Sequence, residues 1–323
     1  MNDPEPLDPW TRIDVSGWKV NLVEPAGSTA GMWLIRPGTT QHWLCKLTTT
    51  PATGVEQGED WAEVVSTQVA RALSVPCAQT CLCTQDGQRG SLSLSVRPFG
   101  YDLVEGKVLL QTESVPGYVP YEVGGHAADP QRPGVERPGH TLENIRRVLD
   151  QVEPPDGWMG PSTATGFDVF VGYLVLDALV ANRDRHEENW AVLRAQTNGV
   201  ADRVSPSYDH GGTLGYQLSD AARLSCLDKP DGVARWAKRG TAWRFEHRRP
   251  APTLVEVAVR GLEMCRPATA VWWRSRLHDL DLSAVVERVS SGVPGMSELA
   301  GRFITELLNM NVRRLRDALH ISA

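Results

Sequence analysis

Apolar and polar positions alternate near the start of the chain and adopt a helical period further along. Trp18 to Val23 alternates as a strand does, the run EPAGSTAG (24–31) follows as a glycine- and hydroxyl-bearing turn, and Met32 to Arg36 is the predicted hairpin partner. Pro37 to Thr40 marks a second turn, and His42 to Leu47 a third strand. From Asp60 to Leu73 the apolar residues fall at 61, 64, 65, 69, 70, 72 and 73, the spacing of a helix. Ala78 to Thr84 and Leu92 to Val96 read as two further strands joined by the turn QDGQRG. The first hundred residues thus predict strand–strand–strand–helix–strand–strand.

Proline and glycine then break the pattern over residues 111–166, which read as an inter-lobe insertion or a long surface loop. Within it, TLENIRRVLDQV (141–152) predicts one short helix capped by Thr141. From Thr165 onward the chain turns helical. Phe167, Phe170, Val171, Leu174, Val175, Ala178 and Leu179 trace one face of a buried helix, and Leu254 to Met264, Ala268 to Leu277 and Glu298 to Leu319 predict more. The expected organisation is α+β: a small β-rich lobe with one helix over 15–110, the insertion over 111–166, and a mainly α-helical lobe over 167–323.

Composition narrows the function classes. The 323 residues are 41% hydrophobic and 22% charged, as in ordinary globular proteins. A net charge of −6 argues against a dedicated nucleic-acid binder. The longest apolar stretch, Phe167 to Ala181, is interrupted by Asp177 and is too short to span a bilayer, so no membrane association is expected. The acidic, proline-containing start MNDPEPLDPW lacks the character of a targeting peptide. Cys77, Cys81 and Cys83 share one strand-like segment without a second Cys/His cluster at zinc-site spacing, and read as reduced, half-buried strand cysteines of a cytoplasmic protein. Only five lysines occur, so Lys46, inside an apolar strand, stands out.

The candidate chemistry lies in ANRDRHEENWAVL (181–193) and SPSYDHGGTLG (205–215). Asp184 and Asn189 share a polar loop between the buried helix and a short strand, Trp190 to Leu193, and Asp209 ends a later strand-like approach two residues before Gly211. Phosphoryl transfer needs a carboxylate that orients the attacking hydroxyl and hard oxygen ligands for Mg²⁺. Asp184 suits the first role; Asn189 and Asp209 suit the second. Asp-x₄-Asn followed by Asp-x-Gly is the catalytic-loop and metal-loop pattern of protein kinases. In the N-terminal lobe, Lys46 is expected to pair with Glu63 on the following helix and to position ATP phosphates. Gly27, Ser28, Thr29 and Gly31 would offer backbone N–H groups above those phosphates. Arg97, Pro98 and Phe99 end the fifth strand where adenine would meet an inter-lobe hinge.

These motifs resemble the HipA-like serine/threonine kinases, whose catalytic loops are akin to those of phosphatidylinositol 3/4-kinases. The resemblance is carried by Asn182-x-Asp184-Arg185-His186-x₂-Asn189, by Tyr208-Asp209-x-Gly211, by the helix GEDWAEVVSTQVARAL after Lys46 and by the helical C-terminal lobe, over roughly residues 15–320. It implies a bilobal, protein-kinase-like fold that uses ATP and Mg²⁺ to phosphorylate a Ser/Thr hydroxyl of a protein or peptide. Asp184 would then be the base, Asn189 and Asp209 the metal ligands, and His186 a group that holds the transferred phosphoryl or braces the loop. It also points to Ser28 and Thr29 as autophosphorylation positions. Toxin members carry an extra N-terminal subdomain that docks a DNA-binding antitoxin, whereas this chain begins almost directly at the first kinase strand, so the resemblance does not carry a toxin role to it. The competing readings are a small-molecule or lipid-headgroup kinase, for which RFEHRRP (244–250) is the candidate basic patch, and a catalytically silent binding module.

Overall fold

The computed structural model describes residues 5–24, 31–52, 54–112, 115–121, 129 and 131–321. The alternating N-terminal segments pair into one sheet of β1 (Ile13–Asp14), β2 (Lys19–Val23), β3 (Gly31–Ile35), β4 (His42–Leu47), β5 (Thr80–Gln85) and β6 (Gln88–Leu94), in the order β1-β5-β6-β4-β3-β2. Successive strand side chains point to opposite faces. Accordingly Leu34, Trp43, Cys45, Cys81, Cys83 and Leu92 close a small core on one face. Leu82, between the two cysteines, joins Trp61, Val65 and Val69 of α1 (Glu59–Leu73) in the main core. All six cysteines are free; of the three expected to be half-buried Cys77 is so, whereas Cys81 and Cys83, with Cys45, are fully buried and packed as small apolar groups.

The chain then crosses to a second sheet, in which β7 (Tyr101–Glu105), β8 (Ala191–Ala195) and β9 (Arg203–Val204) lie side by side. The remainder is helical: α2 (Gly106–Thr112), α3 (Leu142–Leu149), α4 (Gly166–Val180), α5 (Asp220–Leu227), α6 (Gly232–Lys238), α7 (Leu254–Met264), α8 (Pro267–His278), α9 (Ser283–Ser291) and α10 (Glu298–Ala318). The helix expected over 141–152 stops at Leu149. Its Thr141 hydroxyl accepts from Asn144 N as anticipated (3.1 Å), and Leu142, Ile145 and Leu149 enter the main core. The stretch 111–166 therefore contributes packed core as well as loop.

Every residue of α4 is buried, which explains an apolar pattern that runs around the whole helix and not along one stripe. Thr165 and Asp168 form a reciprocal capping box at its start. Gly172 lets α8 approach, because a Cβ there would lie 2.1 Å from the Trp273 ring. The helix ends at Ala181, in the left-handed region (φ 55°), and releases the chain into the polar loop 182–190. Among the described residues no helix is long and apolar enough to cross a membrane.

The two lobes are pinned where α1 begins. Asp60 is buried there, and Arg12 Nη2 donates to Asp60 Oδ2 and to Pro294 O, both at 2.7 Å. Arg89 reaches Gly295 O from the neighbouring strand, Gly58 N donates to Tyr216 O (3.2 Å), and Ser66 Oγ meets Thr213 Oγ1 at 2.7 Å.

Candidate active site

A buried ion pair builds the loop after α4. Asp177 and Arg185 side chains are each 2% exposed; Arg185 Nε and Nη2 donate to the two Asp177 oxygens at 2.9 and 2.8 Å. Asn182 Nδ2 shares Asp177 Oδ1 (2.8 Å), and Arg185 Nη1 donates to Asn189 O (2.7 Å). With this frame in place, Asn182 Oδ1 accepts from Asp184 N (2.9 Å) and Asn189 Nδ2 donates to Asp184 O (2.8 Å). The Asn189 amide nitrogen is thus engaged, and its oxygen is the atom left for a cation. Asp177, which the sequence shows only as a break in an apolar run, is the residue on which the loop is hung. Asp177→Asn should lower unfolding stability by about 3–5 kcal/mol, because it leaves the Arg185 charge buried without its counter-ion. An unchanged urea midpoint would contradict this.

Asp184 is half-exposed (45%). His186 Nδ1 accepts from Glu188 N at 3.2 Å, so the ring proton sits on Nε2, 3.9 Å from Asp184 Oδ2. Burial pushes the His186 pKa down, Asp184 partly offsets this and Arg244 pushes it down again, for a net lowering that keeps the ring neutral at pH 7.

The loop carrying Asp209 packs on the same centre. Tyr208 Oη donates to Glu188 O (3.0 Å), and a Cβ on Gly212 would lie 3.8 Å from Asp184 Cβ. Lys46 Nζ donates to Asp209 Oδ1 at 2.8 Å, with both side chains about a third exposed. Burial alone would raise the Asp209 carboxyl; the Lys46 ammonium, with His186 and His210, holds it below the ordinary range. Lys46 is in turn raised, since Asp209, Glu63 and Glu24 outweigh the burial that would lower it.

The expected Lys46–Glu63 pair is therefore replaced by Lys46–Asp209. The reason is that Glu63 is already engaged: Oε2 accepts from His210 N (2.5 Å) and Oε1 faces His210 Nδ1 (3.3 Å), while His210 Nε2 meets Ser207 Oγ (2.8 Å). Glu63 acts as the latch between α1 and the Asp209 loop, and its charge still reaches Lys46 through space.

Gly31 stands directly across the strand pair from Lys46, and a Cβ there would come within 2.7 Å of Leu44 Cδ1 and 2.8 Å of Glu24 Oε2. Gly27, Ser28 and Thr29 lie outside the described residues. Arg97 and Phe99 stand exposed on the connection between the two sheets, Phe99 fully so.

Besides Asp177, the sequence reading missed Glu24 and Arg244. Glu24 accepts from Trp33 Nε1 (2.9 Å) near Lys46, and Arg244 holds Asp184. Arg244 had a signal in the RFEHRRP patch, but nothing in the pattern ties that patch to Asp184.

The donor set fits a nucleotide with Mg²⁺. An ionised carboxylate at Asp209 and an amide oxygen at Asn189 are hard ligands, few in number, as Mg²⁺ prefers. A protonated lysine beside them suits phosphate oxygens.

No protein-family model matches the sequence, and no curated protein matches it. Solved structures do resemble the fold. The chain is similar to the proinflammatory kinase CtkA of Helicobacter pylori, with 17% identity, a TM-score of 0.71, and 96% of this chain and 98% of that one covered. It is also similar to a chain of the HipA–HipB toxin–antitoxin system with its operator DNA from Shewanella oneidensis MR-1, with 12% identity, a TM-score of 0.50, and coverage of 95% and 68%. At these identities the likeness establishes the fold: the β-rich first lobe and helical second lobe are those of a kinase, as the sequence predicts.

Proposed function

We propose that this protein is an ATP- and Mg²⁺-dependent kinase of the HipA-like type that phosphorylates a Ser/Thr hydroxyl of a protein. The observation that carries the reading is the Lys46–Asp209 ion pair, 2.8 Å long, packed through Gly212 against Asp184. Lys46 would hold phosphate oxygens, and the Asp209 carboxylate with Asn189 Oδ1 would hold the metal. When bound, Mg²⁺ neutralises charge on the phosphates. Asp184 orients the acceptor hydroxyl and takes its proton at Oδ2. The neutral His186 lies with Nε2 3.9 Å from that oxygen. Glu63 keeps the Asp209 loop in register through His210.

A protein acceptor fits better than a lipid headgroup. The basic run 244–250, which a headgroup kinase would turn toward a membrane, is tied back at each arginine: Arg244 on Asp184 and, at the surface, Arg248 on Pro133 O and the exposed Arg249 on Glu136. Free thiols throughout fit a cytoplasmic setting. The test is magnesium-dependent thermal stabilisation by an ATP analogue, followed by transfer of label from ATP to proteins of a cell lysate. Stabilisation without transfer would favour a silent binding module, and label on small molecules alone would favour a metabolite kinase.

A further inference from the structure

Arg244 and the catalytic aspartate are 60 residues apart, yet Arg244 Nε and Nη2 both reach Asp184 Oδ1, at 2.7 and 2.5 Å. The other oxygen, Oδ2, is left facing His186. Arg244 itself is only 18% exposed, so a half-exposed carboxylate is held by a more buried guanidinium. That guanidinium lies 4.0 Å from the Trp243 ring centroid, and the same ring has Arg137 at 4.9 Å. Tyr121 covers Arg137 at 3.5 Å. Arg137 is buried and in the left-handed region (φ 54°), strain that persists only where the surroundings over-determine it.

The Arg244 backbone is held as firmly as its side chain. Its carbonyl accepts from His140 Nδ1 (2.8 Å), Phe245 stacks on the His140 ring (4.8 Å, 12°), and His140 Nε2 accepts from Trp190 Nε1 (3.3 Å). Trp190 directly follows Asn189, so the brace closes back on the catalytic loop. Glu246 accepts from Gly139 N (2.6 Å) and pairs with Arg132 (3.0 Å). Residues 132–140, which the sequence pattern shows only as insertion, are laced to 244–247 along this length.

We propose that Arg244 is a positioning residue for phosphoryl transfer: it fixes the Asp184 carboxylate so that Oδ2 alone meets the acceptor hydroxyl, with the 132–140 segment as its brace. The proposal rests on the kinase reading above. An unheld carboxylate rotates about two torsions, and misplacement of about 1 Å can cost on the order of 10²-fold in rate. A planar guanidinium that donates from Nε and sets Nη2 against the same oxygen restrains that freedom more than a lysine ammonium would.

The experiment compares the full chain with Asp184→Asn, Arg244→Gln, Arg244→Lys and the double variant Asp184→Asn/Arg244→Gln, using labelled ATP, Mg²⁺ and lysate proteins as acceptors. Arg244→Gln should slow transfer by about 10–10²-fold while magnesium-dependent stabilisation by a non-hydrolysable ATP analogue stays at the wild-type value. Arg244→Lys should regain part of the loss. The double variant should be no slower than Asp184→Asn alone, since a residue acting through Asp184 has nothing left to position. Multiplied losses in the double variant would overturn the proposal by giving Arg244 its own contact with substrate. Transfer by Arg244→Gln at or above the wild-type rate would overturn it by making the contact a block. Failure of the kinase reading is distinct, because then Asp184→Asn itself transfers as wild type does.

Discussion

Asp184→Asn yields a folded protein that still binds nucleotide with Mg²⁺ and transfers phosphate about 10²–10⁴-fold more slowly. The bonds that shape the loop use the Asp184 main chain, its N on Asn182 and its O on Asn189, and neither is touched by the substitution. Asparagine keeps the size and an oxygen for Arg244. What it loses is the second carboxylate oxygen, the one able to take a proton from the acceptor. The signature is a melting curve near wild type, a retained shift with an ATP analogue and no labelled acceptor. Loss of nucleotide binding with residual turnover would instead make Asp184 a metal ligand and exchange its role with Asp209.

Lys46→Met should reduce transfer by about 10²–10³-fold, the usual effect of removing one charged donor from developing phosphate charge, and most of the ATP-dependent stabilisation with it. Its cost to folding should stay below about 1 kcal/mol, because the Lys46–Asp209 pair is a third exposed at both ends and solvent screens it. The stability measurement also decides between partners. Had Lys46 paired with Glu63, whose side chain is 5% exposed, its removal would strand a buried carboxylate. Denaturant unfolding that reports a loss of about 3–5 kcal/mol would return Glu63 to that role; a small loss keeps Asp209 there.

Elements with a strong period were legible. β4 and α7 have the predicted ends, and α4, α8 and α10 differ by a residue or two. The short helices α2, α5, α6 and α9 were not seen, being seven to nine residues long with few buried positions and held by neighbours more than by their own pattern. Two-residue β1 escaped for the same reason: it exists because β5 pairs with it. In the site, the spacing of Asp184, Asn189 and Asp209 revealed which residues gather, whereas pairing choices were hidden. Whether Lys46 meets Glu63 or Asp209 turns on His210 claiming Glu63 first, a competition between residues 147 apart. Asp177 had a readable signal after all, since a carboxylate within an otherwise apolar buried helix requires a partner.

The pins at the start of α1 also govern how the cleft can open. Arg12, Arg89, Gly58 and Ser66 fasten one side of the sheet to the helical half, so a rotation of the sheet against the helices would turn about that fastened side. In such a rotation displacement grows with distance from the axis. The far edge, β2 and β3, then travels most, while Glu63 and the His210 it holds remain almost stationary. Such a rotation would raise and lower a flap of sheet over a fixed floor, with Glu63 keeping the Asp209 loop assembled beneath it.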